Sequence, residues 1–412
     1  MNAPWNNEDL RRAFDADFEA LVSFASRSKA RVGFAFLRAD GHVDLGRPLD
    51  ARISARMTHV FALAQMRGIE GAAHLVDHGL AALTGPLRGP GGSWYSEVVP
   101  TSETSATPVP RSVLSQRAQS AMIGAAAAAL MAGHAEAGTL LADLETDQDR
   151  RWWDPNVGAV REEIDPATGA RSPLRRLSTN LDTAQSYLAA WEATGNRVWF
   201  DRARSIMRLV GEIAARSGFA LPDLFDEEWR PLPPTSDQPP LELIRPADTL
   251  PGLGFKAARL IGQIHAILTH MGETPGPWML DTAVSLYECA HADGWTDDGV
   301  GGIVYTLDAT GVVVAPERMH WVVCEAASAD RVEDMAVDYA RAVAWADSHA
   351  RAGVGRWIHE IAPDGSVSMR VWEGRPDALT AARMLARGAA PIYLTVTGAT
   401  ARAGASRAQR AA

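Results

Sequence analysis

A short segment marked by aromatic residues and glycines recurs six times along the chain, with helix-like sequence between the copies. The six copies fall at residues 32–41, 92–97, 151–156, 224–229, 302–311 and 355–365. Each copy is too short to form a sheet of its own and too rich in Gly and Asp to be a helix. A period of roughly 55 to 75 residues has room for two helices and one hairpin-like connector. The repeat therefore predicts an all-α fold, an (α/α)6 barrel with short β-hairpin connectors at one mouth.

Hydrophobic periodicity predicts twelve helices between and around these copies. They cover about residues 8–28, 51–67, 71–84, 114–132, 136–145, 180–194, 197–216, 253–271, 276–292, 317–329, 331–349 and 376–390. The stretch 114–132 is nearly all alanine, and small side chains allow close backbone approach, so we predict that it is an inner helix of the ring. We expect one barrel domain over residues 1–395 and a disordered tail over 396–412, because the tail is small and polar.

Two connectors are long and contain few helix or strand signals. Residues 231–252 are rich in proline, and residues 98–112 are rich in Ser, Thr and Pro. Loops of this length are often functional. We predict that the segment 231–252 lies over a mouth of the barrel.

Composition narrows the class of partner. The 412 residues carry a net charge of -10 and no basic cluster that would follow a phosphate backbone, so we do not expect nucleic acid as a partner. The longest apolar run, 121–132, falls well short of the ~20 residues that cross a bilayer. The first residues lack the apolar core of a signal peptide. These features favour a cytoplasmic protein that acts on a small polar molecule without contacting a membrane.

The cysteine count excludes two further classes of site. Two cysteines give neither a disulfide framework nor the spacing of metal ligands, so we expect no metal. Phosphate-binding and dinucleotide-binding motifs are also missing from the sequence.

The first histidine that stands out lies in the run Arg56-Met57-Thr58-His59. This spacing places a guanidinium and an imidazole on one face of a helix. An Arg and a His together at a barrel mouth suit a sugar oxygen or an enediolate. A histidine at the edge of the core, with Arg56 in a structural ion pair, explains the same spacing.

A second histidine lies where a helix begins, directly after the fifth copy of the repeat. Arg318, His320 and Trp321 cluster there, one residue after Glu317. A Trp beside a His suits the face of a sugar ring. Ordinary packing at the start of a helix accounts for the cluster equally well.

The third histidine is part of the sixth copy, Trp357-Ile358-His359-Glu360. Alternation along a strand would put Trp357 and His359 on one face and Glu360 on the other. Histidine is the side chain best suited to proton transfer at neutral pH. We therefore expect His359 to point toward whatever the connectors enclose.

With these segments, the chain resembles the N-acylglucosamine 2-epimerase family, and most closely its branch of mannose and sulfoquinovose isomerases. The resemblance spans about residues 8–395. Its most specific parts are the runs 56–63, 318–326, 357–360 and 371–377.

The resemblance implies an (α/α)6 barrel and a cofactor-independent reaction in which histidines move a proton between C1 and C2 of an open-chain sugar. It implies His359 as one acid/base and Arg56 as the group that polarises the C1 or C2 oxygen. The same comparison points to substrate-binding residues around them, namely His59, Asn180, Glu317, His320, Trp321 and Trp357. Barrels of this type are often monomers or homodimers.

Three polar positions depart from the family's usual pattern. The family's second catalytic histidine corresponds to Leu253, its glutamate to Lys256, and a histidine before another helix to Asp182. Leucine cannot transfer a proton, so the usual mechanism cannot run unaltered. If Asp182 and Lys256 face each other, they form an ion pair that fixes the pocket, or Lys256 serves as a base or binds an acidic substituent. We count both among the candidate catalytic residues.

Three functional interpretations follow. The first is a sugar isomerase or 2-epimerase with an altered catalytic set, and the second is a sugar-binding homologue that has lost catalysis. His359 and Arg56 favour the first, whereas Leu253 and Lys256 favour the second. The third, a glycoside hydrolase or lyase, needs two carboxylates facing one bond. The candidates for such a pair are Asp182, Glu317 and Glu360.

Overall fold

Thirteen helices make up most of the part of the chain that the computed structural model describes. That part comprises residues 6–89, 91–110, 112–237, 239–329, 336–371, 374–375, 377–388 and 390–411. In chain order the helices are α1 Glu8–Ala25, α2 Ala51–Met66, α3 Ala72–Thr84, α4 Gln116–Met131, α5 Glu136–Asp147, α6 Leu177–Thr194, α7 Arg197–Arg216, α8 Pro251–His270, α9 Met279–Gly294, α10 His320–Ala329, α11 Ala336–Trp345, α12 Leu379–Arg387 and α13 Val396–Ala411. Short π-helical turns extend α5 and α11, over Gln148–Trp152 and Ala346–Ala350.

The first twelve helices form two concentric rings. The even-numbered helices α2, α4, α6, α8, α10 and α12 each contact the next, and α12 contacts α2 to close the inner ring. Each odd-numbered helix packs outside its even partner, with α1 against α12. The predicted (α/α)6 barrel is confirmed, and so is the inner position of the alanine-rich helix α4.

Inner helices are buried all round because they face both the outer ring and the barrel interior. In α4, Ala125–Ala129 are fully buried, and their small side chains let α2 and α6 pack on either side. The outer helix α7 is amphipathic instead and turns Trp199, Phe200 and Met207 inward. The faces of the inner helices that point away from the outer ring can therefore line a cavity at the end of the inner ring.

Short strands line the mouth at which the inner helices begin. They are β1 Leu49–Asp50, β2 Glu97–Pro100, β3 Ala106–Pro108, β4 Leu114–Ser115, β5 Trp153–Asp154, β6 Ala159–Val160, β7 Glu163–Ile164, β8 Arg175–Arg176, β9 Leu224–Phe225, β10 Thr306–Leu307, β11 Val313–Ala315, β12 Arg318–Met319, β13 Arg351–Gly353, β14 Arg356–Trp357 and β15 Glu360–Ile361. All pairings among them are antiparallel. The loop predicted over 98–112 is in part the hairpin β2–β3.

Backbone pairing joins each connector to the next around the whole mouth. β1 pairs with β2, β4 with β7, β8 with β9 and β12 with β15, each pair linking two successive connectors. Isolated bridges complete the circle, from Thr249 to Leu307 and from Leu37 to Arg375. The connectors thus form a closed belt that fixes where the inner helices begin.

The C-terminal segment differs from our expectation of disorder. Its helix α13 packs on α2, α4, α6 and α12, near the ends of the inner helices opposite the connectors. Small residues make this contact possible. A Cβ at Gly398 would lie 3.1 Å from Glu192 Oε1, and one at Gly404 would lie 3.4 Å from the carbonyl carbon of Met66. The predicted domain boundary at 395 is therefore wrong, because α13 closes the barrel floor.

No described helix has both the length and the apolar character that a membrane crossing requires.

Candidate functional site

A cavity opens at the connector end of the inner ring. All six inner helices contribute to its wall, and the connector 231–252 covers it through Glu242, Ile244 and Leu250. Val396 of α13 also lines it. The prediction that the proline-rich connector lies over a barrel mouth is confirmed.

Charged side chains dominate the wall. Its cationic members are Arg52, Arg56, Arg117, Arg176, Lys256, Arg259, Arg383 and Arg387, and its carboxylates are Asp182, Asp223, Glu242, Glu325 and Asp377. The described wall therefore has three more cations than carboxylates. A protein with a net charge of -10 thus concentrates positive charge at this site.

One side of the cavity, which we call the histidine wall, consists of Arg56 on α2, His320 on α10, and His359 and Asp377 from the last connector. Arg56 Nε lies 2.9 Å from Asp377 Oδ2, and Arg56 Nη2 donates to Thr380 Oγ1 at 2.9 Å. Burial by itself raises the pKa of Asp377, but Arg56 outweighs it and holds that pKa below its usual range. Arg56 is therefore anchored with its planar group at the cavity surface.

The two histidines lie edge to face, with ring centroids 4.2 Å apart. His320 Nδ1 lies 3.3 Å from the carbonyl oxygen of His359, and His359 Nε2 lies 2.8 Å from the carbonyl oxygen of Asp377. A carbonyl only accepts, so His320 carries its proton on Nδ1 and His359 carries its proton on Nε2. Burial lowers the pKa of both rings, and for His320 the neighbouring His359 lowers it further. Both rings are therefore neutral at pH 7.

The remaining nitrogens of the two rings differ in access. His359 Nδ1 is buried and has no hydrogen-bond partner among the described residues. His320 Nε2 bonds to no described residue, and the His320 ring lines the cavity. His320 is the histidine of this wall that presents an unprotonated nitrogen to the cavity.

The opposite side, which we call the lysine wall, consists of Asp182 on α6 and Leu253, Lys256 and Arg259 on α8. Lys256 Nζ is paired with Asp182 Oδ1 and lies 4.0 Å from Glu325 Oε1. Arg259 donates twice to Glu325 Oε2, at 2.7 and 2.9 Å. Burial by itself raises the pKa of Asp182, but the Lys256 ammonium reverses this and lowers it. The ion pair anticipated from the sequence is present.

Several predicted substrate-binding residues do not line this cavity. His59 is buried beside α13, and its Nε2 bonds to Thr397 Oγ1 at 2.9 Å. Asn180 holds the backbone of Val160 and Arg176. These two predictions are wrong because both side chains lie inside the helix packing, where His59 Nε2 bonds to Thr397 and the Asn180 amide bonds to backbone.

Glu317 and Trp357 also lie outside the main cavity. Glu317 is buried and pairs with Arg370, and Trp357 Nε1 donates to Asp17 Oδ2 of α1 at 3.2 Å. Trp357 borders a smaller side cavity behind His320 and His359. Glu360 does not line this side cavity. Its carboxylate accepts hydrogen bonds from the backbone N–H groups of Arg370 and Val371. Glu360 therefore faces away from His359, as strand alternation predicted.

The carboxylates proposed for glycoside hydrolysis are not assembled in the cavity. Of Asp182, Glu317 and Glu360, Asp182 alone lines it. The other two are held by Arg370 and by backbone amides. Asp182, Glu317 and Glu360 therefore do not form the carboxylate pair that the hydrolase interpretation expected.

Sequence reasoning missed the arginines at the starts of the inner helices. Arg52, Arg117 and Arg176 each lie within two residues of the first residue of α2, α4 or α6. The recurrence of an arginine after successive connectors was the signal available. Trp321 and His320 were found, and Trp321 lies edge-on to Tyr305 in the wall.

Comparison with known proteins agrees with this architecture. The family model for N-acylglucosamine 2-epimerase matches residues 33–381. The chain is 34% identical over 413 residues to a D-mannose isomerase of Thermobifida fusca, covering 97% of this chain and 99% of that one. It is 33% identical to a D-mannose isomerase of Pseudomonas cannabina pv. alisalensis, over 87% of both chains.

The protein belongs to the N-acylglucosamine 2-epimerase family.

Solved structures share the fold of this family member. A D-mannose isomerase superposes with a TM-score of 0.78 at 18% identity, covering 99% of this chain and all of the other. A cellobiose 2-epimerase of Spirochaeta thermophila gives a TM-score of 0.77 at 18% identity, over 92% and 96% of the two chains.

The three residues expected from the sequence to depart from the family's usual pattern lie together. Asp182, Leu253 and Lys256 all belong to the lysine wall, whereas Arg56 and His320 remain on the histidine wall. Of the family-like run 371–377, residues 372, 373 and 376 lie outside the described part of the chain.

Proposed function

We propose that this protein is a cofactor-independent sugar isomerase that moves a proton between C1 and C2 of an open-chain aldose or ketose. Membership of the N-acylglucosamine 2-epimerase family and the mannose isomerases among its relatives support this class of reaction. The observation that carries the proposal is the unprotonated Nε2 of His320, whose ring lines the cavity together with the anchored guanidinium of Arg56.

In the proposed step, His320 Nε2 takes the proton from C2 of the aldose. The electron pair of the C–H bond forms the C1–C2 double bond of an enediolate, and negative charge develops on O1. Arg56 stabilises that charge, since a fixed guanidinium acts without reorganising at the moment of reaction. The His320 proton then passes to C1, and the O2 hydroxyl proton moves to O1, which gives the ketose.

The sequence analysis assigned this proton transfer to His359. His359 stays a candidate, but its free nitrogen is buried and its other nitrogen is engaged with the backbone. We assign the His359 side chain a positioning role, because its ring packs edge to face on His320 and its Nε2 bonds to the carbonyl oxygen of Asp377.

A single base favours isomerisation over inversion at C2. One base lies on one face of the enediolate and returns the proton to that face. Inversion needs an acid on the opposite face, where the lysine wall offers Leu253 and an ammonium already held by Asp182.

The second candidate is a sugar-binding homologue without catalysis, favoured by Leu253 on the cavity wall. Solvent deuterium incorporation separates the two. Aldoses and ketoses, neutral and acidic, are incubated with the protein in D₂O and followed by NMR at C1 and C2. We expect incorporation into at least one aldose–ketose pair. Absence of incorporation with every sugar, while one of them raises the melting temperature, would establish the binding homologue instead.

A further inference from the structure

A histidine and two carboxylates meet at the end of the barrel opposite the connectors. His134 lies in the turn between α4 and α5, Glu136 is the first residue of α5, and Asp77 lies on the outer helix α3. One nitrogen or oxygen atom from each of the three side chains lies within 4.8 Å of the other two. These residues do not line the main cavity, so the proposed function leaves them unused.

Gln65 on α2 determines which nitrogen of His134 carries a proton. The amide nitrogen of Gln65 donates to the carbonyl oxygen of Ala132 at 2.9 Å, which leaves the amide oxygen of Gln65 to face His134. His134 Nε2 lies 2.7 Å from that oxygen. An amide oxygen only accepts, so Nε2 carries the proton and donates it, and Nδ1 of the neutral ring keeps its lone pair.

The nitrogen with the lone pair faces both carboxylates. His134 Nδ1 lies 2.9 Å from Asp77 Oδ1 and 3.6 Å from Glu136 Oε1, and the His134 side chain is nine-tenths buried. Three acceptor atoms that face one another repel unless a positive charge lies between them. Either a second proton on the imidazole or a bound cation supplies that charge.

A divalent transition metal ion fits these donors and their spacing. Zn²⁺ binds imidazole nitrogen at about 2.0–2.1 Å and carboxylate oxygen at about 2.0–2.2 Å, so neighbouring ligand atoms in a tetrahedral site lie about 3.4 Å apart. The two separations from His134 Nδ1, 2.9 and 3.6 Å, bracket this value. The Asp77 and Glu136 side chains are more than half exposed, so they can adjust and leave space for water as a fourth ligand. Ca²⁺ and Mg²⁺ prefer oxygen ligands and suit an imidazole less well.

We propose that Asp77, His134 and Glu136 bind a divalent transition metal ion such as Zn²⁺, with Gln65 as the residue that orients the His134 ring. Metal-binding histidines usually donate their other N–H to an oxygen acceptor, as His134 Nε2 does here. The ion joins α3 to the start of α5 outside the cavity, so we assign it a stabilising role. This inference goes beyond the proposed function and does not depend on it. The sequence analysis expected no metal because the cysteines lack ligand spacing, whereas the fold assembles this set from a histidine and two carboxylates.

Calorimetric titration of the full chain with ZnCl₂, after dialysis against a chelator, tests the site. Asp77→Asn and Glu136→Gln should each weaken Zn²⁺ binding at least about tenfold, because loss of a ligand costs no less than loss of its outer hydrogen-bond partner. Both side chains are exposed, so the variants should keep the wild-type melting temperature in the presence of chelator. Glu212→Gln, at an exposed position on α7, is the control and should bind Zn²⁺ as the wild type does. Unchanged Zn²⁺ affinity in both cluster variants would overturn the inference.

Two further variants distinguish a metal site from an imidazolium paired with a carboxylate. His134→Gln keeps a donor near the Nε2 position but has no nitrogen at the Nδ1 position, and it should abolish Zn²⁺ binding at the cluster. Gln65→Met removes the acceptor of the Nε2 proton and should weaken Zn²⁺ binding by about 10–100-fold.

The melting temperature supplies a second measurement. Saturating ZnCl₂ should raise the melting temperature of the wild type, because the folded chain alone assembles the site, and should not raise that of His134→Gln. MgCl₂ at the same concentration should have no such effect. An equal rise in the wild type and in His134→Gln, or an equal rise with MgCl₂, would mean that His134 binds no transition metal and pairs with Asp77 as an imidazolium.

Discussion

The two walls of the cavity contain the same kinds of charged group, but the groups are arranged differently. On the histidine wall, Asp377 holds Arg56, and His320 lines the cavity with an unprotonated nitrogen that bonds to no described residue. On the lysine wall, Asp182 and Glu325 bind Lys256 and Arg259, and Leu253 offers no proton. Under the proposed function, proton transfer therefore belongs to the histidine wall, while the lysine wall sets the shape and charge of the cavity.

The strongest test of this division is to remove the Lys256 ammonium. Lys256→Met leaves Asp182 without its cation, and we expect it to lower the free energy of unfolding by about 2–3 kcal/mol. This is less than the ~3–5 kcal/mol of a fully buried pair because the Asp182 side chain is 28% exposed. Denaturant titration at pH 7 measures the change.

A double variant supplies the control for Lys256. Lys256→Met combined with Asp182→Asn removes both charges and should recover most of the lost stability. Deuterium incorporation by either variant should stay within tenfold of the wild type. A loss of more than a hundredfold in a stably folded Lys256→Met would move catalysis to the lysine wall and break the comparison.

A substitution at the contact between α8 and α10, where the two walls meet, should change the free energy of unfolding less. Gly252, in the first turn of α8, faces the Trp321 ring of α10, and a Cβ there would lie 2.7 Å from Trp321 Cζ3. We expect Gly252→Ala to cost about 1–3 kcal/mol by overpacking and to weaken sugar binding by displacing Trp321. Gly138→Ala, in open surroundings on α5, should stabilise by up to about 1 kcal/mol. Equal stability of the two variants would show that the walls are not held together at this contact.

The pH dependence of the free energy of unfolding tests whether the buried histidines are neutral in the folded protein. Burial lowers the folded-state pKa of His59, His320 and His359, so below an unfolded pKa of about 6.5 the unfolded chain binds protons that the folded chain does not. Stability is therefore present above pH 6.5 and falls with decreasing pH, by about 1.4 kcal/mol per pH unit for each such histidine.

Denaturant titrations at several pH values between 7 and 5.5 measure this slope of stability against pH. His320→Asn should reduce it by about one histidine's share relative to the wild type. An unaltered slope in His320→Asn would mean that this ring is charged or exposed in the folded protein.

The architecture was largely predictable because hydrophobic periodicity and turn residues, which are local features of the sequence, determine where its helices begin and end. Each of the twelve ring helices lies where hydrophobic periodicity put it, and the turn at Gly195, with φ of 70°, separates α6 from α7. The helix α13 was missed because its stability comes from contacts with α2 and α6. Its small, polar residues show no hydrophobic periodicity from which these contacts could be predicted.

The site was less predictable because its residues come from six helices. Arg56, His320, Trp321, Asp182 and Lys256 were found through runs or departures with a recognisable pattern. Arg383 and Glu325 lie in ordinary helical sequence, and only the closed ring brings them together. The opposite error occurred at His59. Its spacing from Arg56 predicted a place in the site, but helix packing buries it against Thr397 of α13, outside the cavity.

The most direct test of the central claim compares two variants that each keep one hydrogen bond and lose one nitrogen. His320→Asn retains a donor near the Nδ1 position toward the His359 carbonyl, and His359→Gln retains a donor near the Nε2 position toward the Asp377 carbonyl. Solvent deuterium incorporation is then measured for both with the best substrate of the wild type. We predict a loss of about 10²–10⁴-fold for His320→Asn and less than tenfold for His359→Gln. The reverse order would contradict the account and make His359 the acid/base.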